Sequence, residues 1–166
     1  MNENEVKILQ MVMSSRFGEV TYSSEDVLFF PRGLPAFEHC HQWILAGDED
    51  NAVKWLQSIE DGELALPVTV PDVIMPDYNA KIPEDDLDVV GAGGLVDLAL
   101  LIIVSIPEFS PWEMTANLRA PILVNLKTRR ATQVIVLNEE YSIRHAVFSE
   151  NAKESMKNSK LIEAGN

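Results

Sequence analysis

The amino-acid sequence predicts a mostly β protein: a small antiparallel barrel-like or sandwich domain with one or two short helices. Three observations carry that prediction. Apolar residues alternate at period two in short stretches, proline- and glycine-rich joints separate those stretches at regular spacing, and only Pro83 to Val90 reads convincingly as an internal helix. The 166 residues are one domain's worth. A chain of that size buries roughly two thirds of its unfolded surface and needs no staples. The expected division is an N-terminal extension over residues 1–14, a β domain over 15–148, and a helical or disordered tail over 149–166.

Taken in order, the first 14 residues begin polar and turn apolar at Val6, Ile8, Leu9, Met11 and Met13, which suits the second part to a sheet edge. Arg16 to Tyr22 alternates at period two, Ser23 to Asp26 interrupts the pattern, and Val27 to Phe30 resumes it, giving two short strands and a turn. Pro31-Arg32-Gly33-Leu34-Pro35-Ala36-Phe37 is a rigid apolar loop. Its prolines fix φ, Gly33 is free to take positive φ, and Leu34 and Phe37 are expected to plug the core. Gln42 to Ala46 and Val53 to Ile59 form a predicted hairpin across Gly47 to Asn51, with Val53, Trp55, Gln57 and Ile59 on one face.

Leu64 to Val70 reads as a further strand, whose Pro67 suits an edge or a bulge because proline cannot donate to a ladder. A partly open sheet follows. Pro71 to Pro83 is expected to be an ordered surface loop held by Ile74, Met75 and Tyr78. The helix after it carries acids in its first turn, where the helix dipole favours them. Gly91 to Gly94 leads into the apolar strand Leu98 to Ile106, which is too short to span a bilayer. Met114 to Asn125 reads as a tight connection feeding a strand: Asn117 bonds its own backbone in a turn, Pro121 marks the strand entrance, and Ile122, Leu123 and Val124 are β-formers. Thr132 to Leu137 and Tyr141 to Phe148 are the last predicted strands, and Met156, Leu161 and Ile162 recur at loose helical spacing in the tail.

Charge bounds the function. A formal net charge of −13 argues against direct nucleic-acid binding, because phosphate contacts draw on Lys and Arg. A basic partner protein is the natural counterpart. The single Cys40 forms no internal disulfide, and the opening residues mix Glu3, Glu5 and Lys7 where a secretory leader would be basic then apolar, so the expectation is cytoplasmic, without membrane association. Lacking an exposed heptad or a long sticky strand, the free protein is expected to be a monomer.

Chemistry-bearing clusters are sparse. His39-Cys40-His41 alternates its side chains between two faces and has only the distant His145 to help, so no metal is expected. Asp48, Asp50 and Asn51 hint at a calcium loop, but Ile59 stands where the late glutamate belongs. Gly91 to Gly94 lacks both a following Lys-Ser/Thr and the third glycine of a dinucleotide fingerprint, so no cofactor is expected. Neither Cys40, Ser58 nor Ser105 sits in a nucleophile signature, and no enzyme is predicted. A carbohydrate- or small-ligand-binding β module is the alternative if Trp43, Trp55, Trp112 and Tyr78 line an exposed groove. Candidate partner-binding residues are Glu60, Asp61, Glu63, Asp77, Asp85 and Asp86 in the acidic half of the chain, with Asn117 and Arg119 where positive charge begins to concentrate.

Several blocks occur in one order: Phe17-Gly18-Glu19, Phe30-Pro31-Arg32-Gly33-Leu34-Pro35-Ala36-Phe37-Glu38, Trp55-Leu56-Gln57-Ser58, Pro76-Asp77-Tyr78, Met114 to Ile122, Asn125 to Arg129 and Tyr141 to His145. Together they resemble the flagellar assembly factor FliW family from about Arg16 to Val147, with Ala36 and Ala146 departing from the glycine and proline common there. The resemblance implies a cytoplasmic protein that binds flagellin and also binds the RNA-binding translational repressor CsrA. Secretion of flagellin then frees it to capture CsrA and relieve repression of flagellin messenger RNA, by an antagonism described as allosteric. The acidic bias supplies a physical component, since negative charge beside the repressor's RNA surface disfavours a second polyanion.

Overall fold

The computed structural model describes residues 8–92 and 97–164. Its strands are β1 (Gln10–Ser14), β2 (Gly18–Tyr22), β3 (Leu28–Phe29), β4 (Gln42–Ala46), β5 (Lys54–Ser58), β6 (Ala65–Thr69), β7 (Leu98–Ser105), β8 (Thr115–Ala116), β9 (Ile122–Asn125), β10 (Ala131–Gln133) and β11 (His145–Ala146). Two helices, α1 (Glu84–Val89) and α2 (Glu150–Ala164), complete the regular structure with three single 3₁₀ turns. The main sheet runs β10-β9-β7-β6-β5-β4-β3, with β8 beside β7 and β11 beside β8, and every ladder is antiparallel. Its two ends meet at one parallel bridge, Phe29 to Arg130, where Phe29 N donates to Arg129 O at 2.9 Å. One bridge is no ladder, so the sheet curls without closing into a barrel.

The curled sheet encloses Phe30, Leu34, Trp43, Leu56, Val68 and Ile122, all at most 2% exposed. Leu34 plugs this core as expected, with Phe37 packed partly against it. Gly33 makes the tight loop possible: at φ 65° a Cβ there would stand 2.7 Å from the Glu38 Cα.

The hairpin β1–β2 is a separate two-stranded layer whose Val12 and Tyr22 pack on Ile44 of β4. It covers the face of β5 that carries Trp55 and Gln57, while the opposite face buries Leu56 and Ser58 in the core. Both faces of β5 are therefore covered. Gln57, fully buried, bonds both layers: its Oε1 accepts from Ser14 Oγ at 2.7 Å, and its Nε2 donates to the carbonyls of Ser58, Gly62 and Leu64 at 3.0, 3.2 and 3.2 Å. Gln10 to Ser14, set before the β domain in the sequence division, thus form a strand of this layer.

Several expectations need correction. Strand β6 is internal, between β5 and β7, rather than an edge. Pro67 is tolerated because the β7 ladder covers only Val68 and Thr69, leaving the proline outside it. The predicted strand Thr132 to Leu137 shortens to Ala131–Gln133. Beyond it the chain leaves the sheet, and Val134, Val136 and Leu137 donate instead to the carbonyls of Pro121, Arg119 and Lys81. The predicted strand Tyr141 to Phe148 reduces to His145–Ala146, long enough only to meet β8. Of the glycine run, Gly93 and Gly94 lie outside the described residues. Within the tail, Glu150–Ala164 is helical, and α2 lies against the turn Pro111–Glu113, with Lys153 Nζ 3.1 Å from Glu113 and Lys160 Nζ 5.4 Å from the Trp112 ring centroid.

Gly62 is where the two layers touch, since a Cβ there would stand 1.9 Å from the Met13 carbonyl oxygen. Gly62→Ala must push the hairpin from the sheet. The expected loss is about 1–3 kcal/mol of unfolding free energy, read as a lower denaturation midpoint with an unchanged slope.

Candidate functional site

The connection Met114 to Asn125 interrupts what would otherwise be one strand along β7. Ala116 stands opposite Val104 and Ile122 opposite Leu101, so the five residues 117–121 face only Ile102 and Ile103, and the excess loops out. Asn117 holds the loop as the sequence implies, its Oδ1 accepting from Ala120 N at 3.0 Å. Leu118 is driven fully inward to pack with Ile102, Val104 and Ala116.

Two neighbouring segments close over this loop. From the loop following β6, Tyr78 donates its hydroxyl to Leu118 O at 2.7 Å and stacks on Tyr141 with ring centroids 4.8 Å apart. Burial, with Tyr141 adding to it, pushes the Tyr78 hydroxyl up to about 12. Tyr141 Oη accepts from Asn79 N at 2.8 Å, and the buried Asn138 accepts from Lys81 N at 2.7 Å while donating to Asn79 O at 2.9 Å. Ile74, Met75 and Tyr78 thus anchor the loop as expected. Arg119 extends along the chain after β10, its Nη1 donating to Glu139 O at 3.4 Å.

The structure divides the sequence-predicted partner residues into two groups. Asp77, Asn117 and Arg119 belong to one connected face, through the Tyr78–Leu118 bond and the pairing of Val136 with Arg119. Asp85 and Asp86 continue that side on α1, where Asp86 forms an ion pair with Arg32, which also donates to Thr132 Oγ1 at 2.7 Å. Glu60, Asp61 and Glu63 stand apart, on the turn between β5 and β6 beside the β1–β2 hairpin. The carboxylates also divide by what they hold. Glu60 accepts from the backbone N–H groups of His41 and Gln42 at 2.9 and 2.7 Å, Asp61 accepts from Glu63 N at 3.0 Å, and Asp86 holds Arg32. Asp77, Glu63 and Asp85 are exposed.

Sequence reasoning missed the apolar part of this surface. Ile135, Leu137 and Ile143 are 70%, 63% and 62% exposed. Alternation was the available signal, because Val134 and Val136 point inward and leave Ile135 and Leu137 outward. Ile143 and Arg144 flank a groove of about 580 Å³ that Asn117, Thr115, Glu113 and Pro107 also line.

The remaining candidates do not converge on a reactive centre. Cys40 is fully buried, His39 is exposed, and the His41 ring sits 2.8 Å from Phe30 O. Among the described residues no group of three or more His, Cys, Asp or Glu side chains is placed to hold a metal ion. The aromatic rings are engaged separately: Trp43 packs edge-on to Phe30 in the core, Trp55 lies under the Arg16 guanidinium at 3.6 Å, and Tyr78 stacks on Tyr141. Among the described residues, no helix is long and apolar enough to cross a membrane.

The family model for FliW protein matches residues 11–147. The chain belongs to the FliW family. Among relatives, the flagellar assembly factor FliW of Caldanaerobacter subterraneus subsp. tengcongensis is 40% identical over 139 residues, covering 82% of this chain and 92% of that protein. The flagellar assembly factor FliW of Thermotoga maritima is 36% identical over 141 residues, covering 84% and 95%. A crystal structure of the flagellar assembly factor FliW superposes with a TM-score of 0.78 at 29% identity, over 85% of this chain and 99% of that one. The mostly β, antiparallel fold is thus the FliW fold, and FliW proteins are assembly factors rather than an enzyme family. Helix α2 begins after the matched residues end.

Because the Tyr78 proton is held more tightly in the folded state, its stabilisation is complete below the ordinary tyrosine range near pH 10 and is lost as pH rises toward 12. Tyr78→Phe is expected to cost about 0.5–1.5 kcal/mol at neutral pH through the lost bond to Leu118 O. It should also flatten the fall in stability between pH 10 and 12, measured by denaturant titration at each pH.

Proposed function

We propose that this protein is a cytoplasmic flagellar assembly factor that binds flagellin and antagonises the translational repressor CsrA, exchanging one partner for the other as flagellin is secreted. The reading is carried by family membership over residues 11–147 in a chain of net charge −13. Protein partners in flagellar assembly are what the family name implies, and the charge selects among them. A basic, RNA-binding protein is attracted by such a surface, whereas RNA itself is repelled. Exposed Ile135, Leu137 and Ile143 supply apolar contact area beside the polar candidates Asp77, Asn117 and Arg119. Capture next to carboxylates raises the cost of RNA binding by the captured repressor without any need to occupy its RNA site.

The decisive experiment is a pull-down from cytosol with the purified protein, followed by competition between the recovered species. Flagellin and CsrA should each be retained, and added flagellin should displace CsrA. Retention of neither rejects the reading.

Charge is tested best at exposed carboxylates. Glu63→Gln combined with Asp85→Asn is expected to weaken CsrA capture about threefold to tenfold at low salt, with the difference shrinking as ionic strength rises. Unchanged affinity together with unchanged release of RNA would remove the electrostatic component.

A further inference from the structure

Among the described residues, strand β1 is paired on one side only, by β2. Two observations tell which of its backbone groups face the other way. Ser15 N donates to Gly62 O at 2.9 Å, and the Met13 carbonyl lies against Gly62. Backbone groups of residues two apart point to the same side of a strand, so Met11 and Met13 turn theirs away from β2; the Gly62 turn covers that side at the Met13 carbonyl and the Ser15 N–H, and the stretch around Met11 is left open. No described strand pairs with that edge.

The side chains on the hairpin's outer face are apolar. Leu9, Met11 and Met13 are 66%, 51% and 62% exposed, while Val12 and Ser14 point inward. Proteins usually blunt such edges with a lysine, a proline or a bulge. Gln10–Ser14 contains none, and its five pairs with β2 run without interruption. The rim is acidic: Glu19 stands directly opposite Met13, and the turn that meets Met13 carries Glu60, Asp61 and Glu63. The adjacent cation, Arg16, has its guanidinium over the Trp55 ring.

We propose that the open edge of β1 accepts an extended, basic segment of a partner protein as an added strand, with apolar side chains against Leu9, Met11 and Met13 and Lys or Arg against Glu19 and Glu63. This deepens the proposed function and rests on it, assigning the edge to the RNA-binding repressor. Strand addition draws affinity from main-chain hydrogen bonds, and alternate side chains select the partner. A protein that binds RNA must display Lys and Arg, which this rim complements. A second copy of this chain would instead set acidic rim against acidic rim.

The test uses the full chain and purified CsrA. Met11→Pro removes an N–H that faces the open edge and leaves the bonds to β2 in place, while Met11→Val keeps the N–H and an apolar side chain. A double variant, Met11→Lys with Met13→Lys, repels a basic strand without touching the backbone. By titration calorimetry, the proline and double-lysine variants should bind CsrA about tenfold more weakly or worse, and the valine variant should bind as the parent does. Amide exchange at Met11 and Met13 should slow in the complex. Far-UV circular dichroism checks the fold, and should the proline variant not fold, the double-lysine variant decides. Parent-like affinity in the folded variants, or exchange unaltered by CsrA, overturns the proposal while the parent's own binding upholds partner capture. A parent that binds flagellin but not CsrA also overturns it. Binding of neither partner overturns both, and self-association abolished by Met11→Pro would give the edge to a second copy.

Discussion

Where a turn joins the strands of a curled sheet, some of its backbone groups face the interior, and a group that faces inward has no water to satisfy it. In this protein carboxamide side chains meet that need. Gln57 bonds the carbonyls of the β5–β6 turn, and Asn138 serves both sides of the 79–81 segment. Asn125 accepts from Lys127 N and Thr128 N while donating to Val90 O, tying the end of α1 to the turn before β10. Asn117 does the same on a smaller scale within its own loop. An amide suits the task because it donates and accepts without carrying charge, and leaving such a buried group unpaired costs about 1–3 kcal/mol.

Pinned turns explain why the surface is heterogeneous. Some carboxylates are committed to the fold: Glu60 gathers two backbone N–H groups at the start of β4, and Asp86 draws Arg32 across to Thr132. Others, Glu63 and Asp85 among them, are exposed and contribute field rather than structure. The anionic character is therefore not one patch. It is spread over separate places on the fold, among them the Glu60–Glu63 turn beside the hairpin layer, the Asp48–Asp50 turn and the first turn of α1.

Much of this architecture was legible in local sequence. The Asn117 turn, the Leu34 plug, the α1 acids and the loop anchored by Tyr78 all follow from residue chemistry acting over a few positions. Strand lengths late in the chain were not legible. Thr132 to Leu137 alternates like a strand throughout, yet its second half bonds to Pro121, Arg119 and Lys81, because those carbonyls are brought alongside by other parts of the fold. Pro67 misled in the opposite direction: its missing donor was read as an edge signal, but a central strand tolerates it where the neighbouring ladder has not yet begun.

The sequence alone determined the mostly β class, the acidic balance, the turn chemistry and the resemblance to FliW proteins, since each is a property of composition, periodicity or short motifs. Only the tertiary structure decided the order of strands, which carboxylates are spent on holding the chain, and which edge of β1 stays open. Those outcomes rest on contacts such as Ser14 with Gln57 and Arg32 with Asp86, which join residues 43 and 54 positions apart. No local pattern encodes such a contact, because it exists only once the intervening chain has folded.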